Sequence, residues 1–178
     1  MNYIKKIMIE VQNCVKGDST EILALYEAAR KLQMKREMVV WPAFEASFIE
    51  QEIAEKRQWK IVVDGVIVCN WAITFEDKEI WEDKDQGDGV YIHRICNNPN
   101  FRGQRYIDTI AKWVKSYAKE QKRPYARLDT LGKNTKLIKH YTSAGFDFLG
   151  IFHLKSTAGL PAHYQNEKDC CLFEMKVY

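Results

Sequence analysis

The order of strand-like and helix-like segments constrains the fold of this chain more than any other feature of its sequence. Two β-rich runs, at 59–63 and 66–75, flank Asp64-Gly65, a two-residue turn that tolerates positive φ and predicts a β-hairpin. Two helical stretches precede this hairpin, and strands and helices alternate after it. The resulting order, β-α-α-β-β-β-α-β-α-β-β, indicates an α/β (α+β) fold in which helices pack against a mixed sheet.

Apolar periodicity and turn residues set the predicted boundaries. The first helix should begin at a capping box formed by Asp18 and Glu21, and the second at Trp41-Pro42. The predicted strands are 3–11, 59–63, 66–75, 90–97, 125–131, 146–153 and 170–178, and the other two helices lie near 103–122 and 134–145. Because no linker, repeat or low-complexity segment interrupts the 178 residues, we expect one domain over 1–178.

Composition restricts the class of protein. With 46% apolar and 29% charged residues, the chain is typical of globular proteins and unlike disordered or fibrous ones. No apolar run approaches the roughly 20 residues that span a bilayer, and the N-terminus lacks the apolar core of a signal peptide. Five cysteines form an odd set without CxxC spacing, which favours buried thiols over disulfide, redox or metal roles. These features predict a cytoplasmic protein that needs no metal.

Charge is distributed unevenly along the chain, although the net charge is only +3. Residues 43–88 carry 12 acidic and 5 basic side chains, whereas residues 102–140 carry 11 basic and 3 acidic ones. This pattern is typical either of two ligand sites of opposite charge or of ordinary solvated helix faces. The basic segment also leaves open a nucleic-acid-binding role, although no nucleic-acid motif accompanies it.

The segment from Arg94 to Trp113 predicts an anion-binding site. It combines a strand, a turn at Arg102-Gly103 and a long amphipathic helix. Backbone N–H groups at the start of a helix have no partners within it, and they suit an anion such as a pyrophosphate. Arg102 and Arg105 can add charge-assisted hydrogen bonds.

A second segment, about 30 residues further on, has a strand, Asn134, a helix with Tyr141, and then Gly145-Phe146. Together the two segments, within residues 90–152, resemble the GCN5-related N-acetyltransferase (GNAT) superfamily. The resemblance implies a GNAT-like fold with a mixed, mostly antiparallel central sheet flanked by helices. It also implies an enzyme that moves an acetyl group from acetyl-CoA to a primary amine of a small molecule or peptide, by direct attack in a ternary complex.

The resemblance also implies which residues contact the cofactor. Ile95, Cys96 and Asn97 would form a splayed strand end that pairs with the pantetheine arm. Arg102, Gly103, Gln104, Arg105, Tyr106 and Ile107 would wrap the pyrophosphate, and Asn134 would contact the cofactor near its pantetheine. Arg105 and Ile107 stand where the family usually has small residues, which would make the cofactor contact less close. Asn134 is by its position alone also a helix N-cap.

Two residues are candidates for proton transfer. The resemblance implies that Tyr141 stands near the thioester sulfur as the general acid, although a tyrosine on this helix face could also be core. His93 lies on the cofactor strand, matches a histidine of the arylalkylamine branch, and has an ordinary pKa of roughly 6.5 that suits a base. It could instead be an ordinary strand residue. Glu45, Glu76 and His163 are weaker candidates for the base.

The acceptor amine is expected in an aromatic pocket, and the acidic segment would suit a cationic amine. Tyr91 should line this pocket, because it shares a strand face with His93. The other candidate wall residues are Trp41, Phe44, Trp71 and Trp81, each of which could also be core.

The alternative function is a non-catalytic acyl-CoA-binding module, and a nucleic-acid-binding domain is a further alternative. We expect no nucleic-acid or membrane partner, and a homodimer is left open.

Overall fold

The computed structural model describes residues 8–178, and within them seven strands form one sheet. The strands are β1 (Ile9–Asn13), β2 (Gln58–Val63), β3 (Val66–Thr74), β4 (Gly89–Asn97), β5 (Tyr125–Leu131), β6 (Asp147–His153) and β7 (Asp169–Lys176). Their order across the sheet is β1-β2-β3-β4-β5-β7-β6. Neighbouring strands are antiparallel except β4 and β5, which run parallel. The mixed, mostly antiparallel sheet predicted from the sequence is therefore confirmed.

The helices of the described residues are α1 (Ser19–Lys35), α2 (Ala46–Ala54), α3 (Lys78–Trp81), α4 (Tyr106–Glu120) and α5 (Thr135–Thr142). The sequence did not predict α3, because four residues are too few to produce a periodic apolar pattern. Across residues 8–178, none of these helices has the length and apolar character needed to cross a membrane. That residues 1–178 form a single domain stays a prediction.

Two predicted boundaries at the N-terminal end differ from the structure. The first strand begins at Ile9, and residues 3–7 of the predicted strand lie outside the described residues. The second helix begins at Ala46 rather than at Trp41. The backbone N–H of Trp41 donates to the side chain of Gln33, and its carbonyl accepts from Arg30, both at 2.9 Å. These bonds hold the segment before Ala46 against α1 in a non-helical form.

The predicted capping box at Asp18 is wrong in its partner. Asp18 stands at the N-cap position of α1, but its carboxylate accepts from the backbone N–H of Val15 at 2.7 Å and pairs with Lys60 at 2.7 Å. The carboxylate thus closes the short turn before α1 and ties it to β2. A long-range ion pair has taken the place of the local cap.

Apolar side chains cover both faces of the sheet. On one face α4 packs against the central strands, with Trp71, Ile110, Val114 and Phe173 among the buried residues. On the other face α1 and α2 pack together over β3 and β4, with Ile22, Tyr26, Ile49 and Cys96 buried. The sheet is therefore held rigidly on both sides near its centre.

β4 and β5 separate at the centre of the sheet. Their parallel pairing ends at Ile92 and Leu128, although β4 continues to Asn97 and β5 to Leu131. A β-bulge accompanies the separation, because two residues of β4 lie opposite Trp71 of β3. The first of these two, Arg94, has a left-handed φ of 53°. A bulge bends its strand and increases the twist, which turns the end of β4 away from β5.

Candidate active site

A cavity of about 650 Å³ opens where β4 and β5 separate. It is lined by the ends of both strands, by α1 and the segment after it, by the loop before α4, by α5, and by the segment between β6 and β7. This volume lies in the range of small-molecule sites. The cavity therefore brings the two sequence segments that resemble the GNAT superfamily to one place.

The loop between β4 and α4 forms one end of this cavity. Arg102 and Gly103 line it, and Arg102 forms no ion pair with any residue from 8 to 178. Gly103 has a φ of 84°, a conformation that strains other residues, while the space around it is open. The N-terminus of α4 follows three residues later, at Tyr106. An arginine charge and unpaired helix N–H groups together suit a phosphate group.

The side chains of the remaining loop residues do not line the cavity. Arg105 donates two hydrogen bonds to Asp108, at 2.7 and 2.8 Å, and also contacts Ser143. Tyr106 and Ile107 are buried in the core beneath α4. These side chains face away from the cavity because the amphipathic helix begins here and turns its apolar face inward. That the turn from Arg102 to Ile107 wraps a pyrophosphate stays a prediction. Backbone N–H groups from Gln104 to Ile107 are what this turn offers to an anion.

The predicted pantetheine contacts fall into two groups. Ile95, Cys96 and Asn97 line the cavity along the separated end of β4. Asn134 instead acts as the N-cap of α5, since its side-chain oxygen accepts from the backbone N–H groups of Lys136 and Leu137 at 3.1 and 3.2 Å. The capping interpretation of Asn134 is thus confirmed, and its contact with a cofactor stays a prediction.

Tyr141 lines the cavity from α5, while its ring packs on core residues. The ring centroid lies 5.2 Å from that of Phe173 and 6.4 Å from that of Phe146. Burial raises the pKa of the phenol, and the nearby carboxyl of Asp129 raises it further. Tyr141 is therefore protonated at neutral pH, which is the form that a proton donor requires.

His93 also lines the cavity, but its environment makes it a weak base. Its Nε2 lies 2.8 Å from the hydroxyl oxygen of Thr74. Burial lowers the pKa of the imidazole to about 3, and the positive charges of Arg94 and Arg57 contribute. The ring is therefore neutral at physiological pH and accepts a further proton reluctantly. The role of His93 as the base stays a prediction.

Two carboxyl groups that were not predicted from the sequence, those of Asp77 and Asp129, lie close to His93 in the cavity. One polar atom of each of the three residues lies within 4.8 Å of the other two, close enough to hold a small cation jointly. Burial raises the pKa of Asp129 to about 6, and burial with the charges of neighbouring carboxyls raises that of Asp77 to about 8. Their sequence signal was only that Asp129 interrupts an apolar strand and that Asp77 precedes a helical turn.

Two of the five aromatic residues predicted for the acceptor pocket line the cavity, namely Trp41 and Phe44, whereas Trp71, Trp81 and Tyr91 do not. The predictions for Trp71 and Tyr91 are wrong. Trp71 is fully buried on the opposite face of the sheet, with its ring 5.0 Å from that of Trp113. Tyr91 shares a strand face with His93 as predicted, but Trp81 of α3 covers it at a ring distance of 5.6 Å. That covering helix is the element the sequence did not predict.

The three weaker candidates for the base differ in whether they line the cavity. Glu45 and Glu76 are exposed and do not line the cavity. His163 lines it from the segment between β6 and β7, and burial lowers the pKa of this imidazole to about 4. Of the three, His163 alone is placed to contact a bound molecule.

An ion pair beneath the cavity holds the bulge in β4. Arg94 donates to both carboxylate oxygens of Glu52, at 2.6 and 2.5 Å, and Glu52 is only 2% exposed. The guanidinium also lies 5.3 and 5.2 Å from the ring centres of Phe44 and Phe48. This pairing fixes a residue with left-handed backbone and neutralises its charge before any ligand binds.

These features define a class of protein. A mixed seven-stranded sheet with two central parallel strands that separate over a cavity, and a helix N-terminus at one end of that cavity, is the GNAT-like acyl-CoA N-acyltransferase fold. No family model matches the chain. Searches of known protein sequences and of solved structures both find N-acetyltransferases. The uncharacterized N-acetyltransferase YesJ of Bacillus subtilis is 24% identical over 74 residues, which are 42% of this chain and 41% of that protein.

Solved structures match over nearly the whole chain. A GNAT-family acetyltransferase of Listeria monocytogenes superimposes with a TM-score of 0.74 and 20% identity, covering 94% of each chain. The protein yncA of Salmonella typhimurium, solved with its cofactor acetyl-CoA, gives a TM-score of 0.68 and 11% identity, covering 96% of this chain and 94% of that one. The chain therefore has the fold of the GNAT superfamily, and the fold that the resemblance implied is confirmed.

Proposed function

We propose that this protein is an N-acetyltransferase that moves the acetyl group of acetyl-CoA to a primary amine of a small molecule or peptide. One observation carries the proposal. β4 and β5 separate beyond Ile92 and Leu128 directly over a cavity that also takes in Arg102 and Gly103. The gap presents strand N–H and C=O groups to an amide-containing chain such as pantetheine, and the loop presents helix N–H groups to a pyrophosphate.

The residues of the chain fit this cosubstrate. Arg102 has no ion-pair partner among the described residues, so its charge is available to a phosphate. The open space around Gly103 allows a close approach of ligand to backbone. The names of the relatives agree with acetyl transfer, and yncA was solved with acetyl-CoA.

The transfer needs few protein groups. Strand N–H groups at the end of β4 would donate to the carbonyl oxygen as it gains negative charge. Tyr141, protonated at neutral pH, would donate its proton or a hydrogen bond to the departing sulfur. Holding both substrates in one cavity contributes the largest effect, up to about 7–11 kcal/mol in favourable cases. The amine then attacks the acetyl carbonyl carbon directly.

Calorimetric titration with acetyl-CoA tests the proposal. Arg102→Glu places a negative charge at the expected phosphate site and should weaken acetyl-CoA binding by about tenfold or more, and added salt should weaken binding to the unmodified protein. Lys115→Glu is the matched control, because it makes the same charge change at an exposed position of α4 outside this cavity. Equal affinities for the protein and Arg102→Glu would contradict the proposed site.

Product analysis distinguishes the alternatives. Mass spectrometry after incubation with acetyl-CoA and a panel of amines, amino acids and peptides should reveal acetylated product. Tight acetyl-CoA binding without any product would instead identify a non-catalytic acyl-CoA-binding module. Oligonucleotide binding in place of acetyl-CoA binding would identify a nucleic-acid-binding domain. Cytoplasmic location, a homodimer and independence from metal, membrane and nucleic acid stay predictions.

A further inference from the structure

The point where β4 and β5 separate is occupied by ionisable groups. His93 and Asp129 directly follow Ile92 and Leu128, the last residues of the pairing between β4 and β5, and Asp77 at the start of α3 lies close to both. The charge of Asp129 also acts on the Tyr141 phenol and on Asp77. This cluster therefore lies in the same cavity as the proposed general acid.

Neither carboxyl has a cationic partner within residues 8–178. Oδ2 of Asp77 is buried and has no hydrogen-bond partner there, and Asp129 accepts one long hydrogen bond, from the hydroxyl of Tyr164 at 3.4 Å. Arg94, which also lines the cavity, is already paired with Glu52. The other ionisable groups that act on the two carboxyls or feel their charge are Glu79, Asp85, His93, Tyr141, Tyr164 and Cys170.

Two adjacent carboxyl groups withdrawn from water are costly as a pair of free anions. They can share a proton, or they can bind a cation that replaces the lost hydration. The raised pKa values of both groups indicate that the carboxyl pair holds a proton near neutral pH. A positively charged ligand can then replace this proton between the two carboxyl groups.

We propose that the acceptor is a small primary alkylamine without a neighbouring carboxylate, bound as its ammonium ion between Asp77 and Asp129. This inference rests on the proposed acetyl transfer and names its acceptor class. The apolar side chains of Ile80, Leu160 and Pro161 line the same cavity as the carboxyls and suit an aliphatic body.

The charge of the cluster excludes two other acceptor classes. An amino acid would bring its own carboxylate to two carboxyls that form no ion pair with a cation among residues 8–178, which is repulsive at short range. A neutral alcohol would leave the pair without a counter-charge. An ammonium ion satisfies both carboxyls and carries three hydrogen-bond donors.

The proton balance of the transfer follows from this arrangement. Binding of the ammonium ion expels the proton that the carboxyl pair shared. Asp129 then takes one proton from the ammonium nitrogen, and the neutral amine attacks the acetyl carbon. The new C–N bond forms, the C–S bond breaks, the sulfur takes a proton from Tyr141, and the nitrogen's second proton returns to Tyr141 through water. Asp129 finally releases its proton to solvent.

A matched series of substrates tests the acceptor class. Hexylamine, norleucine and hexan-1-ol have similar aliphatic bodies and differ in the charges they carry. With acetyl-CoA fixed, kcat/KM for hexylamine should exceed that for norleucine by about a hundredfold, with no product from the alcohol. Norleucine used as well as hexylamine would overturn the proposal.

The pH profile of the unmodified protein gives a second test. If the carboxyl pair binds the ammonium form, kcat/KM for hexylamine should rise from about pH 6 as the pair ionises and level off near pH 8. Selection of the neutral amine would make the rise continue toward the amine's own pKa of roughly 10. That continued rise would overturn the proposal.

Variants show which residue is responsible for the pH dependence of kcat/KM. Asp129→Asn should lower kcat/KM for hexylamine by about a hundredfold and abolish the rise with pH, and Asp129→Glu should recover about tenfold of the loss. Asp83→Asn is the matched control, since it removes the same charge from an exposed residue of the acidic segment and should change kcat/KM by less than about twofold. A rise that survives in Asp129→Asn but is lost in His93→Ala would identify the imidazole as the base instead.

The outcomes separate this inference from the proposed function. Acetyl-CoA affinity in Asp129→Asn should stay within about twofold of the original, because the carboxyl faces the acceptor. Failure of the unmodified protein to bind acetyl-CoA would defeat the proposed function itself, whereas acetylation of zwitterions would defeat the acceptor class alone.

Activity that needs Zn²⁺ and is lost on chelation would also overturn the inference, since the cluster would then hold a metal ion. If Asp129→Asn does not fold, the substrate series and pH profile still decide.

Discussion

At the residue scale, the candidate proton-transfer groups have pKa values that differ from the ordinary values of their residue types. A free histidine titrates near neutral pH, yet burial and two arginines lower the pKa of His93 to about 3. A free aspartate is fully ionised at neutral pH, yet burial raises the pKa of Asp129 to about 6. The carboxyl is thus closer to the working range of a base than the imidazole is. Histidine is the residue type usually expected as a base, but here the buried carboxyl of Asp129 has the pKa that better suits proton transfer near neutral pH.

Tyr141 gives the residue-scale prediction. Tyr141→Phe removes the hydroxyl and keeps the ring against Phe173, so folding should change little. The departing sulfur would lose its proton donor, and kcat should fall by about ten- to a thousandfold, the lower part of the range for general acid catalysis. Steady-state kinetics with thermal unfolding as the control would measure this. An unchanged kcat would leave Tyr141 a core residue and nothing more.

At the element scale, the bulge in β4 creates the site. Two residues opposite one on β3 turn the strand away from β5, and the left-handed backbone at Arg94 makes this turn strained. α2 supports the bulge from below through Glu52, which accepts hydrogen bonds from Arg94, Arg57 and Gln58. A helix on one face of the sheet therefore fixes the geometry of the gap between two strands.

Glu52→Gln tests this support. The substitution leaves the guanidinium of Arg94 without its counter-charge in a site that is largely buried, and breaking such a pair from one side typically costs about 3–5 kcal/mol. The free energy of unfolding, measured by denaturant titration, should fall accordingly. Glu55→Gln is the matched control, because Glu55 lies just after α2 and pairs with Arg57 at the surface. Equal losses in the two variants would show that the ion pair to Arg94 does not stabilise the fold.

At the scale of the whole molecule, the cavity joins regions of opposite charge that lie far apart in the chain. Arg102 from the basic segment lies at one end, and Asp77 from the acidic segment lies at the separation of the strands. Asp129, the second carboxyl at that separation, comes from the basic segment, so the folded chain rather than the order of charges along it forms the two regions of the cavity. An anionic cosubstrate and a cationic acceptor would each find a region of opposite charge.

The same carboxyls give a prediction for the stability of the whole molecule. The folded pKa values of Asp77 and Asp129 are raised, so the folded state holds more protons than the unfolded state between roughly pH 4 and pH 8. Their contribution to stability is therefore present at low pH and is lost as pH rises through this window. The Tm of Asp77→Asn relative to that of the unmodified protein should increase from pH 5 to pH 8, as scanning calorimetry would measure. A constant difference would mean that Asp77 titrates normally in the folded state.

The parts of the fold that depend on local sequence pattern could be predicted from the sequence. The hairpin at Asp64-Gly65 and the helix before Gly145 have strong local signals, and the structure places both as predicted. Segments that are held by distant partners were misjudged. Trp41 starts no helix because side chains of α1 bind its backbone, and the Asp18 carboxylate pairs with β2.

The sequence by itself determined the order of the strands and of the longer helices, the turn at Arg102 between β4 and α4, and the strand and helix that carry His93 and Tyr141, because these follow from periodicity, turn chemistry and a recognisable motif. The tertiary structure alone decided which side chains share the cavity. Tyr91 and His93 occupy one strand face, yet α3 covers the first and leaves the second open. Asp77 and Asp129 lie 52 residues apart, and they meet because β5 pairs with β4 until Leu128 and then separates. Contact between distant segments and withdrawal from water are properties of the packed molecule, and they set the charge states on which the chemistry depends.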